Sequence, residues 1–125
     1  MTATLSKQDR LNAILSDLRG AMPELRGVLV ATVDGLPIAQ AMGDGADANR
    51  VAAMAATALG LGKRINDTLG SGTLTDMGIG GQSGQVFIYA AGHKGVLAVV
   101  TPPGVNLGLL HMEARDAAER VAGTL

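Results

Sequence analysis

The segment 47–69 constrains the fold most, because it predicts one long helix that is apolar on nearly every side. Asp47 can cap the start of this helix, and Gly70 can end it. Between residues 51 and 62 the only side chain that is neither apolar nor glycine is Thr57. A helix that is hydrophobic all round is buried on more than one side. The apolar run is shorter than the ~20 residues of a membrane span, so no insertion into a membrane is expected.

This helix has two different faces when its residues are placed about 100° apart. The face expected to pack on a sheet carries Val51, Ala55, Ala58, Gly62, Ile65 and Leu69, with Met54 and Leu61 on its flank. The opposite face, which is small in its middle, carries Asn49, Ala53, Ala56, Gly60, Lys63 and Asp67. A second backbone can approach small residues closely. Either the helix is fully buried within one subunit, or its small face packs on another chain.

The rest of the chain predicts two more helices and five strands. The helices are expected at 6–22 and 107–122, and the strands at 28–33, 36–42, 73–79, 85–91 and 96–101. Asp34-Gly35 predicts a two-residue hairpin turn in which both positions have positive φ. Pro37 cannot donate a ladder hydrogen bond, so the second strand is expected at an edge of the sheet.

The order of these elements predicts a single α+β domain over residues 1–125, with a largely antiparallel five-stranded sheet. The last two strands are apolar on both faces, which indicates that helices cover both sides of the sheet. The long helix is expected alone on one face and the two terminal helices on the other. One helix about 10 Å wide does not cover five strands spaced about 4.8 Å apart. Something else is therefore expected to cover the remaining surface.

Composition excludes several classes of function. The net charge is −1 with both signs interspersed, and aromatic residues make up 2% of the chain, so no nucleic-acid surface is expected. The absence of cysteine excludes disulfides, thiolate metal sites and cysteine nucleophiles, and it fits a cytoplasmic protein. The first residues contain no apolar signal-peptide core, so no export is expected.

No motif in the chain predicts catalysis, a metal site or a cofactor. Gly78-x-Gly80 lies between two predicted strands and lacks the third glycine of a dinucleotide fingerprint, so it is interpreted as hairpin glycine. No G-x-x-x-x-G-K-[ST] motif occurs. His93 is expected in a solvated loop and His111 on a helix. Asp76 is unusual in a half-buried strand: it is either a solvent-facing or edge residue, or a contact with another subunit or partner.

The chain resembles the Roadblock family, which is named after a dynein light chain and includes bacterial stand-alone regulators of small Ras-like GTPases. The resemblance is carried by the hairpin GVLVATVDGLPIAQAM (27–42), by the Ala-rich helix after it, and by GVLAVVTPPGVNLGLL (95–110). It extends over roughly residues 6–124, and its motifs are structural. It implies a profilin-like sheet with one helix on one face and two on the other.

The resemblance also implies homodimers in which the long helices pair antiparallel and the third strands join into one ten-stranded sheet. The interface residues implied for this chain are Ala53, Ala56, Thr57, Gly60, Thr73, Thr75 and Met77. Bacterial members are implied to dock a small GTPase on the face of the paired helices. The candidate contacts on this face are Arg50, Lys63, Arg64 and Asp67.

The leading hypothesis is a non-catalytic, cytoplasmic homodimer that binds and regulates a small Ras-like GTPase. No arginine is placed as a catalytic finger, so any acceleration of hydrolysis would come from positioning the GTPase's own switch residues. One alternative is a small-ligand sensor domain, against which the scarcity of aromatic and convergent polar residues argues. The other is a purely structural dimerisation scaffold.

Overall fold

The computed structural model describes residues 5–43 and 45–125, so residues 1–4 and Asp44 of the expected 1–125 domain lie outside the described residues. Three helices and five strands follow one another in the order that the sequence predicts. They are α1 (Lys7–Ala21), β1 (Gly27–Thr32), β2 (Pro37–Met42), α2 (Ala48–Leu69), β3 (Asp76–Gly81), β4 (Gly84–Ala91), β5 (Gly95–Thr101) and α3 (Leu107–Thr124).

The strands form one sheet in the order β2-β1-β5-β4-β3, and every neighbouring pair is antiparallel. The predicted antiparallel sheet is therefore confirmed. The strand that contains Pro37 lies at one edge of the sheet, as expected. The opposite edge is β3.

Two hydrophobic layers hold the helices on the sheet, and they explain why the central strands are apolar on both faces. Val28 and Val30 of β1 pack in the layer that contains α1 and α3. The alternate residues Leu29 and Ala31 pack in the layer that contains α2. The predicted arrangement of one helix on one face and two on the other is confirmed.

The β1–β2 turn differs from the prediction. The Gly35 amide donates to the carbonyl of Thr32 at 2.9 Å, and the Thr32 amide donates to the carbonyl of Leu36 at 2.9 Å. The loop therefore spans residues 33–35, and only Gly35 has a positive φ, of 90°. A three-residue loop with one left-handed glycine replaces the predicted two-residue turn. A Cβ at Gly35 would lie 3.1 Å from Ala53 Cα, so the tip of this hairpin rests directly against α2.

Both ends of α2 form as predicted. The Asp47 carboxylate accepts hydrogen bonds from the amides of Asn49 and Arg50 at 3.1 and 3.3 Å. Gly70 ends the helix in the left-handed conformation, with φ of 67°. The prediction of a capped helix over 47–69 is confirmed to within one residue.

The predicted core face of α2 is right for its smaller members and wrong for its large ones. Ala55 and Gly62 are buried, and Val51 and Ala58 pack against the same layer. The buried residues are Ala52, Ala55, Leu59 and Gly62. The large side chains assigned to the core face or its flank are exposed instead, at 57% for Met54, 55% for Leu61, 48% for Ile65 and 72% for Leu69. A helix that is apolar all round gives the hydrophobic periodicity little contrast, so the pattern does not determine which side turns inward. Tertiary packing determines which side faces the sheet, because the small side chains on the buried side let α2 approach the strands closely.

Strand β3 begins three residues later than predicted, at Asp76 rather than Thr73. Thr73 precedes the strand, and Leu74 is buried in the α2 layer, where its Cδ2 lies 3.0 Å from the position of a Cβ at Gly62. The strand also continues through Gly81, so the glycines predicted to turn the chain belong to the ladder.

Candidate interaction surface

The outer side of α2 carries an uncovered row of large hydrophobic side chains. This row, called here the apolar stripe, consists of Met54, Leu61, Ile65 and Leu69. Spacings of seven and four residues place its members on one side of a helix. A contiguous exposed apolar patch on a soluble domain marks an interaction surface. The sequence pattern did not predict the stripe, because it assigned these four residues to the face that packs on the sheet or to the flank of that face.

The small-residue face predicted for dimer contacts lies beside the stripe and is open for most of its length. Ala53, Thr57 and Gly60 are exposed. The Thr57 hydroxyl donates to the carbonyl of Ala53 at 2.8 Å, so its polar group is already used within the helix. Gly60 has open space where a Cβ would stand. Ala56 differs, because it is half-buried and packs against the layer between α2 and the sheet.

The four candidate GTPase contacts do not form one cluster. Arg50 and Arg64 are exposed, and Arg64 borders a shallow depression that also contains Leu61, Ile65 and Leu69 of the apolar stripe. Lys63 is half-buried and lines a different depression, beside the β4–β5 turn. Asp67 is exposed. The structure therefore brings Arg64 to the stripe and separates Lys63 from it.

The free edge of the sheet at β3 offers unpaired backbone groups. The Ala90 amide donates to the carbonyl of Thr75 at 3.0 Å, and Asp76 pairs with Tyr89 in the same register. Hydrogen-bonded pairs alternate along an antiparallel ladder. The amides and carbonyls of Gly78 and Gly80 therefore point away from β4, toward the open edge. Such an edge is a template for another strand.

The other predicted interface residues lie at the start of this edge. Thr73 and Thr75 are exposed and precede β3, so the prediction that places them within the strand is wrong. Met77 lies in β3 and is half-buried against the α2 layer.

Asp76 has a partner within its own chain. It lies on the edge strand, as one of the two interpretations expects, but its side chain reaches α3. Arg115 Nη2 lies 3.4 Å from Asp76 Oδ1, and the Thr75 hydroxyl donates to the same oxygen at 2.8 Å. The carboxylate thus joins the first residue of β3 to the last helix.

The side-chain rings of Phe87, Tyr89 and His111 meet where α3 packs on β4. The hydroxyl of Tyr89 and Nδ1 of His111 are 2.8 Å apart, and the Phe87 and His111 rings pack edge to face with centroids 5.3 Å apart. Tyr89 is only 1% exposed. Burial raises the pKa of the Tyr89 hydroxyl; the nearby Asp76 raises it further, and Arg115 opposes the shift. His93 lies exposed in the β4–β5 turn, as predicted.

The raised pKa of Tyr89 predicts a loss of stability at alkaline pH. An unfolded tyrosine ionises near pH 10, whereas Tyr89 stays protonated to higher pH in the folded chain. The unfolded state therefore loses its proton first, and the free energy of unfolding should fall as pH rises above about 10. Urea unfolding between pH 8 and 11 measures this, and Tyr89→Phe should reduce the slope. Because Tyr89 is the only tyrosine, a spectroscopic titration showing ordinary phenol ionisation would contradict the shift.

The described residues contain no cluster of acidic or histidine side chains that could hold a metal ion. Within the same part of the chain, no helix is long and apolar enough to cross a membrane. The surfaces that bear on self-association are the apolar stripe and the edge of β3.

Comparisons with known proteins agree with this architecture. The Roadblock/LC7 domain family matches residues 11–101. Uncharacterized protein MJ1340 of Methanocaldococcus jannaschii is 38% identical over 97 residues, which cover 78% of this chain and 84% of that protein. A structure described as MglB with a tetrameric arrangement superposes with a TM-score of 0.85 at 17% identity, covering 99% of this chain and 93% of the other. A Roadblock/LC7 domain from Streptomyces avermitilis gives a TM-score of 0.82 at 22% identity, with coverages of 90% and 94%. The chain belongs to the Roadblock/LC7 domain family.

Proposed function

We propose that two copies of this chain form a non-catalytic module that binds and regulates a small Ras-like GTPase. The observation that carries this proposal is the apolar stripe of α2, which lies uncovered in a helix that also packs on the sheet. Membership of the Roadblock/LC7 family supports it, because the family includes regulators of such GTPases. A solved structure of MglB, which has this fold, shows a tetrameric arrangement, so self-association occurs among proteins of this fold.

The dimer uses two adjacent surfaces. The β3 edges of two copies pair through the outward backbone groups of Gly78 and Gly80, and this pairing joins the two sheets. The α2 helices then pack through the stripe residues Leu61, Ile65 and Leu69, with Ala53, Thr57 and Gly60 beside them. This arrangement moves the main helix contact from the predicted small face to the large apolar side chains that the structure leaves exposed. In this arrangement the α2 helix of the second copy helps to cover the apolar surface that a single α2 helix leaves exposed.

The GTPase binds on the outer surface of the paired helices. Arg50 and Arg64 are exposed there, and among the described residues neither takes part in an ion pair. They can therefore contact acidic groups of a partner. Regulation comes from holding the switch segments of the GTPase, because none of the residues that the structure describes is placed as a catalytic group.

The test uses the full chain and a small Ras-like GTPase from the same organism. The GTPase is loaded with GDP or with a non-hydrolysable GTP analogue, and binding is measured by calorimetry. We expect binding in one nucleotide state and at least about tenfold weaker affinity for Arg64→Glu, a loss of about 1.4 kcal/mol. Arg10→Glu, on the exposed side of α1, is the matched control. No binding in either nucleotide state would rule out the proposal.

The β3 edge has its own test. Gly80→Pro removes one outward amide and should weaken self-association, while the monomer keeps its fold because that amide does not bond to β4. Gly80 has no positive φ and has open space at its Cβ position, so a side chain fits. Gly80→Ala keeps the amide and is the matched control. Sedimentation velocity measures the mass of each variant in solution. If the two variants associate equally strongly, the β3 edge is not part of the dimer interface.

A further inference from the structure

A groove lies on the side of the molecule that the proposed GTPase surface does not use. It has a volume of about 770 Å³ and runs between the end of α2, the segment 73–75, the end of β4 and the C-terminal half of α3. Small-molecule sites typically occupy about 300–1,000 Å³. Its floor consists largely of small residues, including Ala90, Gly92, Ala118 and Ala122. These short side chains leave room for an apolar body.

Two cationic side chains from different helices line this groove. Lys63 comes from α2 and Arg115 from α3. Among the ion pairs of the described residues, none involves Lys63. Arg115 makes one long contact, 3.4 Å to Asp76, and its side chain is 59% exposed. The remaining guanidinium donors of Arg115 can therefore bind a second anionic group, which a planar guanidinium does in two-point geometry.

The other polar groups of the groove are compatible with an anion. Among the described residues that line the groove, Glu119 alone is acidic, and it is exposed. His93 contributes an imidazole from the β4–β5 turn, and Tyr89 contributes part of the floor. The Tyr89 hydroxyl is neutral at physiological pH, as an ordinary phenol is, and burial raises its pKa further, so it adds no negative charge to the groove. The groove therefore combines an apolar floor with two cations: Arg115 is paired with Asp76, and Lys63 takes part in no ion pair described in the structure.

We propose that this groove binds a small organic anion, a carboxylate or phosphate ester on a short apolar body, with the anionic group between Lys63 and Arg115. The ligand would contact α2 and α3 together at the point where the chain enters β3. This site does not depend on GTPase binding, because its cations and floor lie apart from the apolar stripe. The groove also gives a structural basis for the alternative of a small-ligand sensor domain, because polar side chains that are far apart in the sequence line it together.

The test is a titration of the isotopically labelled full chain, followed by amide chemical shifts. The probes are hexanoate and hexyl phosphate, which carry the two anionic groups, with hexanol and hexyltrimethylammonium as neutral and cationic controls of the same chain length. We expect both anions to shift the amides of Thr73, Gly92 and Ala118. The two controls should leave these amides unchanged at the same concentration.

Lys63→Gln removes one cation, and no ion pair described in the structure depends on that lysine. It should weaken binding of the anions by roughly fivefold or more, which corresponds to about 1 kcal/mol, whereas Arg10→Gln on α1 should have no effect. The proposal is overturned if no probe shifts the groove amides. It is also overturned if hexanol binds as well as hexanoate, or if Lys63→Gln binds like the unaltered protein. A stronger response to hexyl phosphate than to hexanoate would assign the preferred anionic group.

Discussion

Replacing Leu59 with alanine is expected to lower the free energy of unfolding by about 2–5 kcal/mol, the usual cost of removing a buried leucine side chain. Leu59 is 1% exposed and is the largest α2 side chain in the layer against the sheet. Ile65→Ala removes a similar number of carbon atoms from the same helix. It should change the free energy by less than about 1 kcal/mol, because Ile65 faces outward in the single chain.

Urea unfolding of the two variants measures this difference. Protein concentration must be kept low and equal, because self-association would add stability to the folded state. An unchanged dependence on urea concentration would show that both variants unfold from the same compact state. If Ile65→Ala were the costly change and Leu59→Ala the mild one, α2 would be turned as the sequence pattern predicts.

The fold class could be predicted because several local signals agree. Asp47 and Gly70 mark the ends of α2, and Pro37 marks an edge strand. The apolar strands indicate a sheet covered on both faces. These signals depend on residues close in sequence, and their conformational preferences act before any tertiary contact forms. All of them are confirmed.

The orientation of α2 could not be predicted, because its hydrophobicity does not distinguish one side from another. Leu59 and Leu61 are equally apolar, yet one is buried and the other exposed. What separates them is shape: Ala52, Ala55 and Gly62 let the helix approach the sheet on the side of Leu59. This contact involves residues from several strands and leaves no periodic signal in the helix itself.

The polar contacts below α3 were also beyond local sequence analysis. Tyr89 and His111 are 22 residues apart, and Asp76 and Arg115 are 39 apart. Each residue has an ordinary local explanation, as a strand or helix residue. Only the packing of α3 on β4 and β5 brings them together, with the Arg115 side chain reaching Asp76 on the edge strand β3. The same packing forms the groove, which is why convergent polar groups could not be recognised from the sequence.

The double substitution Leu61→Glu/Ile65→Glu is expected to abolish self-association. In the proposed dimer these side chains lie between two α2 helices, so each copy would bury two carboxylates without partners, at a cost of several kcal/mol. Affinity should fall by at least about 100-fold, which corresponds to ~2.7 kcal/mol. The single chain should keep its fold because both residues are exposed in it. Sedimentation velocity should then give the monomer mass of 12.6 kDa.

Gly60→Glu decides between the two sides of α2 that could form the helix contact. Its side chain meets nothing within 4 Å in the single chain, so it is tolerated by the fold. If the apolar stripe forms the contact, Gly60→Glu should weaken the dimer much less than the double substitution does. If the small face forms the contact instead, the glutamate would prevent close approach of the helices, and the order of the two effects would reverse. If both variants remain dimeric, α2 does not form the dimer interface, and its apolar stripe is available to bind a different protein.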